Sequence, residues 1–161
     1  MRRRLLLEAT CGVALALSGC AVSTHSPIFP TRWAGRLALQ VPDDPRQSFS
    51  AGFELRGSAQ AGELELLAPG GATVALLQWL PGQARLSGPG LPTRQGPSVD
   101  DLTRDLTGAA VPVSALFDWL EGRPAEVPGW QVDLSAQAQG RLSARRQAAP
   151  QAHLRIVMER P

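Results

Sequence analysis

The sequence predicts a mainly β domain, in which a curled antiparallel sheet of eight or nine short strands holds two short helices against its concave face. Three observations carry that prediction. After Trp33 the apolar residues recur at every second position over most of the chain, the period of a strand with one dry and one wet face. Turns rich in Pro and Gly separate these runs at close spacing, as in an antiparallel meander. Between residues 98 and 122 the period becomes helical. Composition agrees: 161 residues suit one ordinary domain with a real core, and 43% hydrophobic against 19% charged residues excludes a disordered chain. The single apolar run near the start excludes a polytopic membrane protein.

Residues 1–20, MRRRLLLEATCGVALALSGC, divide as a secretory signal does. Arg2, Arg3 and Arg4 form a basic start, and Ala9 to Leu17 an apolar stretch too short to cross ~30 Å of hydrocarbon. Leu17-Ser18-Gly19-Cys20 resembles the lipobox of bacterial lipoproteins. That resemblance implies a diacylglycerol on the Cys20 thiol, cleavage before Cys20, and acylation of the new amine. Two or three acyl chains anchor a protein in effect permanently. Ala21, where Asp would favour inner-membrane retention, implies the inner leaflet of the outer membrane. The expected division is therefore a signal peptide over 1–19, a lipidated N-terminus and Ser/Thr/Pro-rich tether over 20–32, and one domain over 33–161. Removing residues 1–19 leaves 13 Arg against 13 acidic residues, a net charge of zero, so the basic pI of the precursor gives no argument for nucleic acid. Cys11 leaves with the signal and Cys20 is capped, so no thiol remains for a disulfide, redox centre or metal.

Within the domain, Leu37, Leu39 and Val41 alternate with Arg36, Ala38 and Gln40. Pro42-Asp43-Asp44-Pro45 turns the chain into a second strand, with Phe49, Ala51, Phe53 and Leu55 on its dry face. A third strand is expected over 63–67, a turn at Pro69-Gly70-Gly71, a fourth strand over 73–80 and a fifth over 84–87. The Gly88-Pro89-Gly90-Leu91-Pro92-Thr93 run reads as a turn, its prolines removing the N–H groups that a phosphate cradle needs. Ser98 three residues before Asp101 marks a helix start, with Val99, Leu102 and Leu106 at helical spacing. A second helix begins near Pro112 and carries Val113, Leu116, Phe117 and Leu120 on one side. Both are too short to stand alone in water and must pack on the sheet. Strands resume with Trp130, Val132, Leu134 and Ala136, then Leu142 and Ala144, and finally Leu154, Ile156 and Met158.

No catalytic constellation emerges. His25 and His153 are far apart with no Cys available for zinc, and no Ser sits in a nucleophile elbow. Glu63 and Glu65 share the wet face of one strand and read as solvated carboxylates. No enzyme, metal or cofactor is expected. What remains is a dry concave surface, whose candidate lining is Phe49, Phe53, Leu64, Leu66, Val74, Leu76, Leu86, Trp119, Trp130, Val132 and Leu134. Apolar area of this kind stabilises a packed core and a bound acyl chain by the same roughly 25 cal/mol per Å2, so both remain open at this point.

Several segments are similar to the LolB family of outer-membrane lipoproteins: Trp33-Ala-Gly35-Arg36-Leu-Ala-Leu39, Leu64 to Leu67 with Pro69-Gly70-Gly71, Leu106-Thr-Gly108, Val111-Pro112 to Leu116, Trp119-Leu120-Glu-Gly122-Arg-Pro124, and Gly129-Trp130. The resemblance implies an incomplete antiparallel β-barrel with helices covering its apolar inside. It implies a monomer that accepts acylated lipoproteins from the periplasmic carrier LolA and inserts them into outer-membrane lipid without covalent chemistry. In the family a protruding loop carries an apolar residue for delivery to the membrane; the matching loop here is Pro69, Gly70 and Gly71, and Gly70 has no side chain to insert, leaving Leu67 or Leu80 near the strand ends. The chain is also shorter than many relatives, which implies fewer strands. The alternative is a structural or assembly lipoprotein of the envelope with a filled β core. A lipid-modifying enzyme would need a polar cluster opening into the cavity.

Overall fold

The computed structural model describes residues 32–159, apart from Gly108 and the side chains of residues 105–107. The expected signal, Cys20 and the tether up to residue 31 lie outside the described residues. Nine strands are found among them: β1 (Arg32–Gln40), β2 (Phe49–Gly57), β3 (Gly62–Leu67), β4 (Thr73–Leu80), β5 (Gln83–Gly88), β6 (Leu91–Gly96), β7 (Trp130–Asp133), β8 (Arg141–Arg146) and β9 (Ala152–Met158). The helices are α1 (Val99–Thr107) and α2 (Val113–Leu120). All strands join one antiparallel sheet in the order β6-β5-β4-β3-β2-β1-β9-β8-β7, and β6 and β7 do not pair, so the barrel is unclosed. The chain thus makes a six-strand meander, crosses through both helices, and returns as a three-strand meander whose last strand docks on β1. The number of strands, nine, is at the upper end of the expected eight or nine.

Alternation explains the inner face. Leu37 and Leu39 of β1, Phe53 and Leu55 of β2, Leu64 of β3, Leu86 of β5, Leu142 and Ala144 of β8, and Leu154 and Ile156 of β9 are buried in one cluster with Leu102, Val113, Leu116, Phe117, Trp119 and Leu120 of the helices. The third residue of the Trp33-Ala-Gly35 segment also finds its reason here. A Cβ on Gly35 would sit 2.2 Å from the Val157 carbonyl oxygen, so β1 approaches β9 too closely for any other residue.

The helices are tied at their ends. The Ser98 hydroxyl accepts from the Asp101 N–H at 3.1 Å and donates to the Asp101 carboxylate at 2.6 Å, the expected cap of α1. Pro112 gives α2 no side-chain cap. Asp100, in the first turn of α1, replaces it: its carboxylate accepts from the Val113 N–H at 3.0 Å and the Ser114 hydroxyl at 3.1 Å. The Thr103 hydroxyl, buried between the helices, lies 2.9 Å from the Asp100 carbonyl and 3.1 Å from that of Val111.

Three expectations need correction. Only residues 89–90 turn, Gly88 closing β5; Leu91–Gly96 is an edge strand, made inconspicuous in the sequence by Pro92 and by the exposed Thr93, Arg94 and Gln95, which have no dry face to maintain. The strand starting at Trp130 ends at Asp133, not Ala136, because the Asp133 carboxylate accepts from the Ser135 N–H at 2.9 Å and turns the backbone. In β4 the inward residues are Ala75, Leu77 and Trp79, whereas Val74 and Leu76 face outward. Both faces of this strand are apolar, so alternation cannot choose between them. A register shift at Leu66/Leu67 then skips Val74 in the β3 ladder.

Candidate functional site

Between the inner face and the helices lies an apolar hollow of about 230 Å3. Its sheet wall is Leu37, Leu39, Leu64, Leu66, Leu77 and Leu154; its helical wall is Thr103, Val111, Val113 and Leu116. Arg46, Gln47 and Ser48, from the link between β1 and β2, and Phe49, the first residue of β2, form the remaining side. That link is fixed at both ends. Asp44 accepts from the Arg46 N–H and guanidinium and from the Gln47 amide, which hold its carboxyl below the ordinary aspartate range. The Ser48 hydroxyl accepts from the Val41 N–H at 2.9 Å. Phe49 is 37% exposed, so its ring lines the hollow and meets solvent at once.

The predicted lining divides accordingly. Phe49, Leu64 and Leu66 border the hollow. Phe53, Leu86 and Trp119 are fully buried in the packed core beside it, and the Trp119 indole N–H donates to the Ala125 carbonyl at 3.1 Å. Trp130 is buried and donates to the Ala110 carbonyl, while Val132 and Leu134 are half-buried against the core. Val74 and Leu76 are on the opposite face. Sequence reasoning missed Leu37, Leu39, Leu77 and Leu154 as walls, although the alternation had placed Leu37, Leu39 and Leu154 on dry faces. Val113 and Leu116 were read as helix packing rather than lining, and Val111 only as part of a family-like segment.

A wider depression of about 440 Å3 lies at the β4–β6 end, but Glu63, Gln78, Arg85 and Gln95 among its walls make it a polar groove rather than a dry one. Glu63 and Glu65 do not approach the hollow. Glu63 pairs with Arg56 at 2.6 Å, and Glu65 accepts from the Thr73 hydroxyl, on the outer face. Among the described residues no cluster of three His, Cys, Asp or Glu is placed to hold a metal. The chemistry available to the hollow is burial of hydrocarbon.

The turn at Pro69-Gly70-Gly71 is tight, closed by the Ala68 N–H to Ala72 carbonyl bond at 2.8 Å, with φ of +106° at Gly70 and +88° at Gly71. Those backbone angles suit glycine and strain any apolar replacement. Leu80 is 52% exposed but sits at the other end of β4; the exposed apolar residue beside the turn is Val74, 40% exposed.

The family model described as "Outer membrane lipoprotein LolB" matches residues 31–158, the nine strands and both helices. The chain is similar to the outer-membrane lipoprotein LolB of Ralstonia nicotianae, 36% identical over 150 residues that cover 86% of this chain and 71% of the relative. It is also similar to those of Cupriavidus pinatubonensis (31% identical, 88% and 72% covered) and Bordetella petrii (33% identical, 89% and 74% covered). Unclosed sheet, two covering helices, apolar hollow and matched span agree: the chain belongs to the LolB family of outer-membrane lipoproteins.

Proposed function

We propose that this lipoprotein receives acylated lipoproteins from a periplasmic carrier of the LolA kind, holds their acyl chains in the hollow, and releases them into the outer membrane. The observation that carries the proposal is the 230 Å3 dry space between sheet and helices. At about 30 Å3 for a group of water or methylene size it takes about eight methylenes. Burying these returns about 6 kcal/mol, at about 0.8 kcal/mol each. A full acyl chain is longer, so cargo enters only as α1 and α2 move away from the sheet. No bond is made or broken. Net flow needs only that the hollow hold the chains more tightly than the carrier does, and the membrane more tightly still; 1.4 kcal/mol per stage is tenfold. We place the anchor at Cys20 and the delivery turn at Pro69-Gly70-Gly71, where Val74 and half-buried Leu67 supply the nearby apolar surface.

The test mixes the protein with carrier loaded with a labelled lipoprotein. Label moving to this protein, and then to added vesicles, is the expected result; label that stays on the carrier at equal concentrations refutes it. Uptake of a fluorescent fatty-acyl probe separates the proposal from a structural lipoprotein with a filled core, which takes up none. Cys20→Ala should release a soluble periplasmic protein, and continued cofractionation with membranes would remove the anchor assignment.

A further inference from the structure

We infer that the outer face of β1, β9 and β8 is a docking surface for anionic phospholipid, which sets the orientation of the domain on the bilayer. Register places four arginines together there. Arg36 and Arg141 flank Val157 in one row, Arg155 lies between Ala38 and Ser143 in the next, and Arg145 lies beside His153 in the third. Neighbouring strands are about 4.8 Å apart and alternate residues about 7 Å, so the four bases fall in a patch roughly 10 Å by 14 Å. All four arginines are exposed, and none forms an ion pair among the described residues.

Elsewhere the arginines are neutralised or stand apart: Arg85 of β5 and Arg94 of β6, exposed and also outside the ion pairs, lie at the far end of the sheet. On β1 to β3, Arg32 and Arg56 are both neutralised, by Glu54 and by Glu54 with Glu63. The acidic residues of the helices lie elsewhere again, Asp101 and Asp118 each pairing with an arginine of their own segment. A mature chain with as many acidic as basic residues is therefore polarised, with four of its unpaired arginines gathered on one part of one sheet face. Carboxylates border the patch on both sides: Asp133 of β7, opposite Ser143 and attracted by Arg145, Glu159 past β9, and Glu54 of β2, opposite Ala34 and already paired with Arg32 and Arg56. The imidazole of His153 is held toward its neutral form by burial and then by Arg155 and Arg145, the response of a group in an unbalanced positive field.

Guanidinium forks bind phosphate by paired hydrogen bonds. A protein partner of comparable area needs buried aromatic or aliphatic anchors and a groove to hold them. This face offers one exposed apolar side chain, Val157 at 51%, ringed by arginines, the pattern of a surface that touches headgroups and dips one aliphatic group between them. The family brings the domain to such a surface. An anchor at Cys20 lies twelve residues before Arg32, at most about 40 Å of extended chain, which keeps the face within reach of its own bilayer. Each arginine near an anionic surface strengthens association about fivefold, and four together a few hundredfold.

The test uses the mature lipidated protein with an environment-sensitive fluorophore on Val157→Cys, reconstituted into vesicles of phosphatidylethanolamine with phosphatidylglycerol or of phosphatidylethanolamine with phosphatidylcholine. A blue shift in the first and not the second, removed by high salt, is the expected result. Replacing Arg36, Arg141, Arg145 and Arg155 together by Gln should abolish it. The pair Arg141→Gln and Arg155→Gln, milder for folding, should lower the docked-to-free ratio about twenty-five-fold. Equal shifts in both vesicles, a shift that survives the Gln replacements, or a response only to an added acidic protein would overturn the inference. Acyl-probe uptake measured on the same samples is unaffected by the Gln replacements, so failure here is distinct from failure of the hollow.

Discussion

Filling the hollow from its own wall separates cargo binding from folding. Leu66 is half-buried, lies on the inner face of β3 and borders the 230 Å3 space without being locked in the core. In Leu66→Trp the indole adds about six heavy atoms and occupies roughly half of a space that holds about eight methylenes. About four methylenes of bound chain are then displaced, which removes about 3 kcal/mol of burial. That is about a hundredfold in affinity. The new ring gains apolar contact where there was a void, so stability does not fall. The assay is titration with a fluorescent fatty-acyl probe alongside thermal unfolding. Probe affinity should drop about a hundredfold with the melting temperature unchanged or raised. A variant that melts normally and binds the probe as tightly as the parent would refute the assignment of the hollow as the acyl site.

Asp100→Ala removes the borrowed cap of α2, leaving the Ser114 hydroxyl without its acceptor and the Val113 N–H with the Val111 carbonyl alone; a loss of about 1–2 kcal/mol is expected in denaturant unfolding, with faster amide exchange in α2 than in the strands. Gly35→Ala places a methyl group against the Val157 carbonyl and should cost about 2–3 kcal/mol or prevent folding, read by circular dichroism and urea melts. Glu54 accepts from Arg32 at 2.6 Å and pairs with Arg56, which holds its carboxyl below the ordinary glutamate value of 4.5. A carboxylate lowered in the folded state contributes stability that is present above its unfolded pKa and lost as pH falls through the folded one. Melting curves should therefore weaken progressively below about pH 4.5, and Glu54→Gln should be less stable at pH 7 and flatter across that acid range.

Much of this architecture was legible in the sequence because the physics that makes it is local. Leu37 and Leu39, or Ala51, Phe53 and Leu55, cannot alternate with polar residues and remain anything but a half-wet strand. The Ser98-to-Asp101 spacing could be read as a helix start because the hydroxyl reaches only that N–H. What escaped was decided at a distance. The face of β4 depends on a register shift in its neighbour, since Val74 and Leu76 are as apolar as Leu77 and Trp79. The walls of the hollow depend on the docking of β9 on β1, which brings Leu154 beside Leu39 across more than a hundred residues. The edge strand β6 pairs through its backbone, to which Pro92 and Arg94 give no periodic signal. The basic face is likewise invisible in order along the chain: Arg36 joins Arg141, Arg145 and Arg155 only through that same β1–β9 pairing.

The distribution of ties around the hollow indicates which wall moves. The sheet side is held by continuous ladders, with eight paired positions between β1 and β2 and six between β1 and β9. Opening there would break several backbone hydrogen bonds at once and expose two edges. The helical side is held by side-chain burial, of Leu102, Val113, Leu116, Phe117, Trp119 and Leu120, and by a few discrete contacts: the Trp130 indole on the Ala110 carbonyl, the Gln137 amide on the Leu120 carbonyl, and the edge-on approach of Phe117 to Trp79 at 6.2 Å. Helices of nine and eight residues have little stability of their own, so in the proposed transfer it is they, not the ladders beneath them, that exchange sheet contact for acyl contact. Lifting α2 exposes Val113, Leu116, Phe117, Trp119 and Leu120, at about 1.5–3 kcal/mol each, so acyl chain beyond the first eight methylenes must take their place on the sheet. The proposed transfer requires that the two covers be near balance. A much tighter lid would refuse the chain, and a much looser one would leave a dry surface open to water and to aggregation in the absence of cargo.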